Sequence, residues 1–334
     1  MSAAYKTGNM PGGEGTAANE RYSNLFNFLS PHIHLQTRIL DVGCAIGGFL
    51  DYLNDQGFEN FAGIDLVDKF VKKVQQKGYT AKLGSAEAIP FGSHSFDALI
   101  VNQVIEHLIA PRKVFKEARR VLGEGGILYL GIPDASRYED ICSFDFYGLL
   151  IRDHIQHFYL EHIKLMAMSE GFELLDTECN DHLVISPELF LPNINVIFRR
   201  TDQHSTLNIT EKSFHLRHQF ETYVKESLAG QKQKNLLISE LIESQNPLYA
   251  WGIGNEFLYL YENTGLKQCN ISGLIDVNSY KQKNLMVKGF PIASPQILSK
   301  ADRQSKIIIT AIAYQKAISR SLEDLHYAGS IIYL

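Results

Sequence analysis

Residues 39–48 read ILDVGCAIGG. A short apolar run ends in Asp41, Gly43 and Gly47 follow, and FLDYLNDQG (49–57) then has the spacing of a helix that stops at Gly57. A strand that breaks on glycines into a helix aims free backbone N–H groups at a ligand and lets the backbone approach it closely. NFAGIDL (60–66) is a second strand whose Asp65 stands 24 residues after Asp41. A carboxylate at that place takes the hydroxyls of a ribose. The dinucleotide fingerprint G-x-G-x-x-G is absent; the pattern is D-x-G-x-x-x-G.

The alternation continues outward from this turn. DKFVKKVQQKG (68–78) is a helix closed by glycine, TAKLGS a short strand, and FDALIVNQ (96–103) a strand apolar enough to be buried on both faces. PRKVFKEARRVLGEGG (111–126) reads as a helix, ILYLGIP (127–133) as a strand, and HIKLMAMSEG (162–171) as a helix. FELLDTEC and NINVIFRR are two final strands without a helix between them. The expected fold is α/β: a Rossmann-like, doubly wound sheet with an antiparallel edge over residues 20–202. An amphipathic helix over 20–35 precedes it, and residues 1–19, small and polar, form a flexible segment. Residues 203–246 have helical spacing and form a connecting segment of one or two helices. From 247 to 334 a second, smaller α/β alternation of Rossmann-like character begins at PLYAWGIG.

Composition narrows the function classes. The chain has 334 residues with a net charge of −5, and it lacks the basic footprint of a nucleic-acid protein. Four cysteines share no C-x-x-C spacing, no run is long enough to span a membrane, and the N-terminus has no apolar stretch of the signal-peptide kind. A cytoplasmic protein with reduced thiols is expected.

The turn and the segments behind it resemble the class I S-adenosylmethionine-dependent methyltransferases. Their usual motif is D-x-G-x-G-x-G, with Ala45 here in place of the middle glycine. GSAEAIPF (84–91), SFDALIVNQVIEHL (95–108) and VLGEGGILYLGIPD (121–134) match later segments of that family in the same order. The resemblance implies S-adenosylmethionine as cofactor and S-adenosylhomocysteine as product. It implies that Gly43, Cys44, Ala45 and Gly47 wrap the methionine part, that Asp41 orients the turn, and that Asp65 with Leu66 holds the ribose. By the same resemblance Ser85, Ala86 and Glu87 would border the adenine, and Asn102, Gln103 and His107 would complete the pocket. The sulfonium is already activated, so the protein has to align a nucleophile and remove its proton.

IRDHIQHFYLEHI (151–163) holds the candidate bases His154 and His157. His154 matches the histidine proposed as base in sugar C-methyltransferases. Either histidine can instead pack in the loop and bond backbone. Some ubiquinone-pathway O-methyltransferases hold a divalent ion with Glu-x-x-Glu-His; here that segment is Gln103-Val-Ile-Glu106-His107, and no metal is expected. Tyr138, Phe146 and Tyr147 lie in an aromatic insert of the kind that walls an acceptor pocket.

The second glycine turn, YAWGIGNEFLYLYENTGL (249–266), with GLIDVNSYKQKN (273–284) and KGFPIASPQIL (288–298), resembles the extra C-terminal domain of sugar C-methyltransferases. The N-terminal zinc domain of those enzymes is absent from this sequence. Gly252, Gly254 and Asn255 are the residues that would meet a substrate phosphate, with Asp276 near a ribose, although Glu256 would repel the phosphate. The other reading is a turn that only shapes the fold. The expected function is methylation, at oxygen or carbon, of a small polar acceptor such as a sugar or nucleotide-linked sugar. The alternatives are a generic small-molecule O- or N-methyltransferase, homodimeric through its C-terminal domain, and a non-catalytic cofactor-binding module.

Overall fold

A computed structural model describes residues 16–151, 153–183, 189–201 and 214–334. The chain order begins α1 (Thr16–Leu29), β1 (Ile39–Val42), α2 (Gly48–Asp55), β2 (Phe61–Asp65), α3 (Asp68–Gln76), β3 (Thr80–Leu83) and β4 (Phe96–Asn102). It continues with α4 (Arg112–Val121), β5 (Leu122–Pro133), α5 (Tyr138–Ile141), α6 (Phe146–Ile151), α7 (Leu160–Ser169), β6 (Phe172–Leu183) and β7 (Phe190–Arg200). After α8 (Phe214–Ser244) come β8 (Leu248–Trp251), α9 (Asn255–Asn263), β9 (Ile271–Ile275), α10 (Ser279–Asn284), β10 (Met286–Val287), β11 (Phe290–Ala293), β12 (Lys306–Ile309), α11 (Gln315–Asp324) and β13 (Ser330–Tyr333). Two compact units result: Met1–Phe144 with Arg152–Tyr223, and Asp145–Ile151 with Val224–Leu334.

The first unit contains a seven-stranded sheet in the order β3-β2-β1-β4-β5-β7-β6. The first five strands are parallel, and the β6–β7 hairpin adds the antiparallel pairing at one edge. Alternate residues of one strand enter different cores. Leu40, Leu99 and Val101 pack on one face, while Ile39, Ala98 and Ile100 pack on the other. A sheet apolar on both faces needs helices on both, which is why the strands read as continuous apolar runs. Helix α3 shows the matching pattern: Phe70, Val71 and Val74 are buried, and its lysines face out.

Several boundaries differ from the sequence reading. The helix expected over 111–126 ends at Val121, and residues 122–126 join β5. Gly123, Gly125 and Gly126 cannot sustain a helix, and Leu122 gains a place fully inside the core beside Phe96. The helix expected over 20–35 runs from Thr16 to Leu29, where Pro31 opens a single 3-10 turn. Most of the segment expected to be flexible, residues 1–15, and residues 202–213 of the connecting segment lie outside the described residues.

The second unit holds a six-stranded sheet, β10-β11-β9-β8-β12-β13, parallel except for the β10–β11 hairpin. Leu248 and Ala250 pack on one face and Trp251 on the other, again the pattern of a doubly covered sheet. Helix α10, not anticipated from sequence, is started by Asn278, whose side chain accepts the N–H groups of Tyr280 and Lys281. Among the described residues, no helix is long and apolar enough to cross a membrane.

Candidate functional site

In the first sheet the strand order reverses between β1 and β4. Loops at the carboxyl ends of two such strands diverge and leave a crevice. The ILDVGCAIGG turn occupies one side of it. Gly43 and Gly47 adopt φ of 81° and 83°, and Ala45 is also left-handed at φ 46°. A left-handed alanine carries backbone strain that glycine would not. The turn is held by Asp65: its Oδ2 accepts the N–H of Ala45 at 3.0 Å and its Oδ1 that of Val67 at 2.8 Å. Lys77, which the sequence reading did not single out, donates to the Ile46 carbonyl at 2.8 Å and pairs with Asp51. Cys44 is buried against Gly63, where a Cβ would lie 2.6 Å from its Sγ.

Asp41 is 6% exposed, and burial together with the nearby Asp65 pushes its carboxyl up to about 7. Burial also raises Asp65, partly offset by the backbone N–H groups it accepts. Two buried carboxylates beside a glycine turn fit a ligand that brings a positive charge and a ribose diol. Asp41 would face the charge and Asp65 the diol. Leu66, next along the chain, is 47% exposed. In the third loop Ser85 Oγ accepts the N–H of Glu87 at 3.1 Å, and Ala86 is buried.

The turn after β4 forms the other side. Gln103 is left-handed at φ 54°, its N–H donating to the Gly131 carbonyl and its amide to Asn193 Oδ1 at 2.8 Å. Asn102 fits because Gly131 has no Cβ to collide with its amide. Val104 follows, and a Cβ on Gly43 would come within 2.7 Å of it, so the two turns touch.

A 3-10 turn at Ile105–His107 then brings Glu106 and His107 to the loop that carries His154. The Glu106 carbonyl accepts the N–H groups of both Ile155 and Gln156, each at 3.0 Å, and His107 Nδ1 lies 3.0 Å from the Asp153 carbonyl. Further along, Ala135 N–H donates to the Phe158 carbonyl, which ties the same loop to the end of β5. His154, 6% exposed, therefore sits edge-on to His107, with ring centroids 4.9 Å apart. Glu106 is 1% exposed, and burial lifts its carboxyl to about 7 despite His107 nearby. The Glu106 carboxylate can thus accept a proton near neutral pH.

His157 is placed elsewhere. It packs with Tyr138 and Phe220, its Nδ1 lies 3.4 Å from the Tyr138 hydroxyl, and burial lowers its pKa. Tyr138 is only 2% exposed and belongs to this aromatic core, which corrects its reading as a pocket wall. Phe146 and Tyr147 belong to the second unit, where Phe146 N–H donates to Ser227 and Tyr147 packs against Tyr259.

The second unit's turn is internally satisfied. Asp276, 7% exposed, accepts the N–H groups of Ile253 and Asn278 and pairs with Lys281 at 2.6 Å. Lys281 also donates to the Ile253 carbonyl at 2.7 Å. Gly252, at φ 101°, leaves no room for a Cβ against Ala311. Gly254 and Asn255 begin α9, and a Cβ on Gly254 would meet nothing closer than Glu256 Oε2 at 3.6 Å.

Residues 40–130 match the methyltransferase domain family. The chain is 29% identical over 117 residues to an uncharacterized protein of Methanocaldococcus jannaschii, covering 35% of this chain and 54% of that one. It is 27% identical over 126 residues to a tRNA U34 carboxymethyltransferase of Campylobacter hominis, covering 36% and 44%. It is 36% identical over 98 residues to a sarcosine/dimethylglycine N-methyltransferase of Aphanothece halophytica, covering 27% and 35%. The chain thus spans about half, or less, of the length of these relatives. Asp41 and Asp65 flank a left-handed turn at the strand-order reversal, inside the residues 40–130 that match the methyltransferase domain family.

Proposed function

We propose that this protein transfers a methyl group from S-adenosylmethionine to a small polar acceptor. The observation that carries the reading is the meeting of two turns through Gly43 and Val104: the cofactor turn on one side, and Glu106, His107 and His154 on the other. The cofactor supplies an activated methyl group. Asp65 fixes the turn, Asp41 faces the cofactor's charge, and His154 takes the acceptor's proton. For the acceptor we propose a sugar or a nucleotide-linked sugar. What suggests this class is the second unit's glycine turn, where Asp276 holds the Ile253 N–H as Asp65 holds that of Ala45, although Asp276 is also paired with Lys281.

Calorimetry with S-adenosylhomocysteine tests the cofactor half; absence of binding overturns the proposal. Turnover of His154→Ala tests the base: activity should fall while cofactor affinity stays. Thermal shift with a panel of nucleotide diphosphate sugars tests the acceptor class, and a panel without effect removes it.

A further inference from the structure

We propose that Glu106, His107 and His154 bind a divalent transition-metal ion. The sequence reading expected no metal because Gln103 stands where a first carboxylate would be needed. The fold supplies a different third donor: His154, from a loop 47 residues beyond His107. One ligand atom from each of the three residues lies within 4.8 Å of the others. Donors bound to one ion at about 2.1 Å stand at most about 4.2 Å apart. The widest pair therefore has to close by well under an ångström, and Glu106 Oε1 to His107 Nε2 is already 3.8 Å.

Three further observations favour an ion. Glu106 is 1% exposed, and neither carboxylate oxygen has a hydrogen-bond partner among the described residues. Such a group is costly unless something positive or protic faces it. Second, His107 Nδ1 faces the Asp153 carbonyl at 3.0 Å. A proton on Nδ1 would donate there and leave Nε2 as a lone pair toward Glu106, the way metal-bound imidazoles are usually oriented. Third, Asp153 is held left-handed at φ 63°, and Ile155 and Gln156 are pinned to the Glu106 carbonyl, so the loop is built around this contact. Two imidazoles and one carboxylate suit zinc, cobalt or iron better than magnesium or calcium.

The inference rests on the reading of this cluster as the acceptor end of the methyltransferase site. An ion there leaves coordination positions for an acceptor hydroxyl and lowers its pKa. With an ion bound, His154 serves as its ligand in place of the base role proposed above, and the hydroxyl's proton leaves to water.

The test is a titration of the chelator-treated 334-residue chain with Co²⁺, followed by visible absorption and elemental stoichiometry. One ion per chain is expected, with visible bands shifted from those of aqueous cobalt by nitrogen ligation. The bound ion should be lost in Glu106→Gln, His107→Ala and His154→Ala, each checked for folding by circular dichroism, with S-adenosylhomocysteine binding retained in Glu106→Gln and His154→Ala. Absence of a bound ion in the wild-type chain overturns the proposal, as does binding with the unshifted spectrum of aqueous cobalt, or equal binding in all three variants. If the wild-type spectrum is as expected and a variant fails to fold, the remaining variants carry the assignment. Wild-type protein that binds S-adenosylhomocysteine but no metal refutes this inference alone; protein that does not bind S-adenosylhomocysteine refutes the methyltransferase reading.

Discussion

Asp65 accepts the main-chain N–H of Ala45 at 3.0 Å, bridging 20 residues of sequence and closing the cofactor turn onto the second strand. The same carboxylate is the one proposed for the ribose, so its loss would reach both the turn and the ligand. Asp65→Ala should weaken S-adenosylhomocysteine binding about 10- to 100-fold, the range set by losing charge-assisted hydrogen bonds. Calorimetry measures it, and an unchanged affinity removes Asp65 from the site.

Ala45 offers the opposite experiment. Its φ of 46° is one that glycine adopts without strain, and two glycines already flank it at similar angles. Ala45→Gly should stabilise the protein by about 0.5–1 kcal/mol, the left-handed strain exceeding the added freedom of the unfolded chain. Ala45→Val should destabilise it, since a β-branched side chain tolerates this conformation worst. Urea denaturation of the three proteins decides the order.

Asp41 should couple cofactor binding to pH. Its carboxyl titrates near 3.8 in an ordinary setting and near 7 in the fold. The folded state holds an extra proton between those values, so this group's contribution to stability falls as pH rises from about 4 to 7. A cationic cofactor group favours the ionised form, so affinity should rise between pH 6 and pH 8, with proton release at the lower pH. Calorimetry in buffers of different ionisation enthalpy reads the released proton. Asp41→Asn should reduce that release and weaken cofactor binding, yet raise the ligand-free protein's stability at pH 8 by about 0.5–2 kcal/mol.

The strands were legible because their two-sided burial leaves unbroken apolar runs, and the first turn because only glycine, or an alanine under strain, fits its angles. The end of α4 was not. VLGEGG has a helical start, and only the tertiary pairing of Leu122 with Phe96 turns it into strand. Lys77 stayed hidden because a lysine at a helix end looks like any solvated charge, and its bond to the Ile46 carbonyl depends on α3 packing beside the turn. His154 and His157 have the same chemistry in sequence. Only the anchoring of Ile155 and Gln156 on Glu106 sends His154 to His107 and leaves His157 among Tyr138 and Phe220.

Lys281 and Asp276 give a prediction confined to the second unit. Lys281→Met removes the amine that faces a 7% exposed carboxylate and leaves it with backbone N–H groups alone. The loss should be roughly 1–3 kcal/mol, because a buried acceptor that loses a charged partner retains its desolvation cost. Adding Asp276→Asn should recover part of that loss, since the double variant no longer buries an uncompensated charge. Thermal unfolding of wild type and the three variants completes the cycle. Additive effects would mean that the pair contributes nothing as a pair, and that the Ile253 carbonyl alone accounts for the position of Lys281.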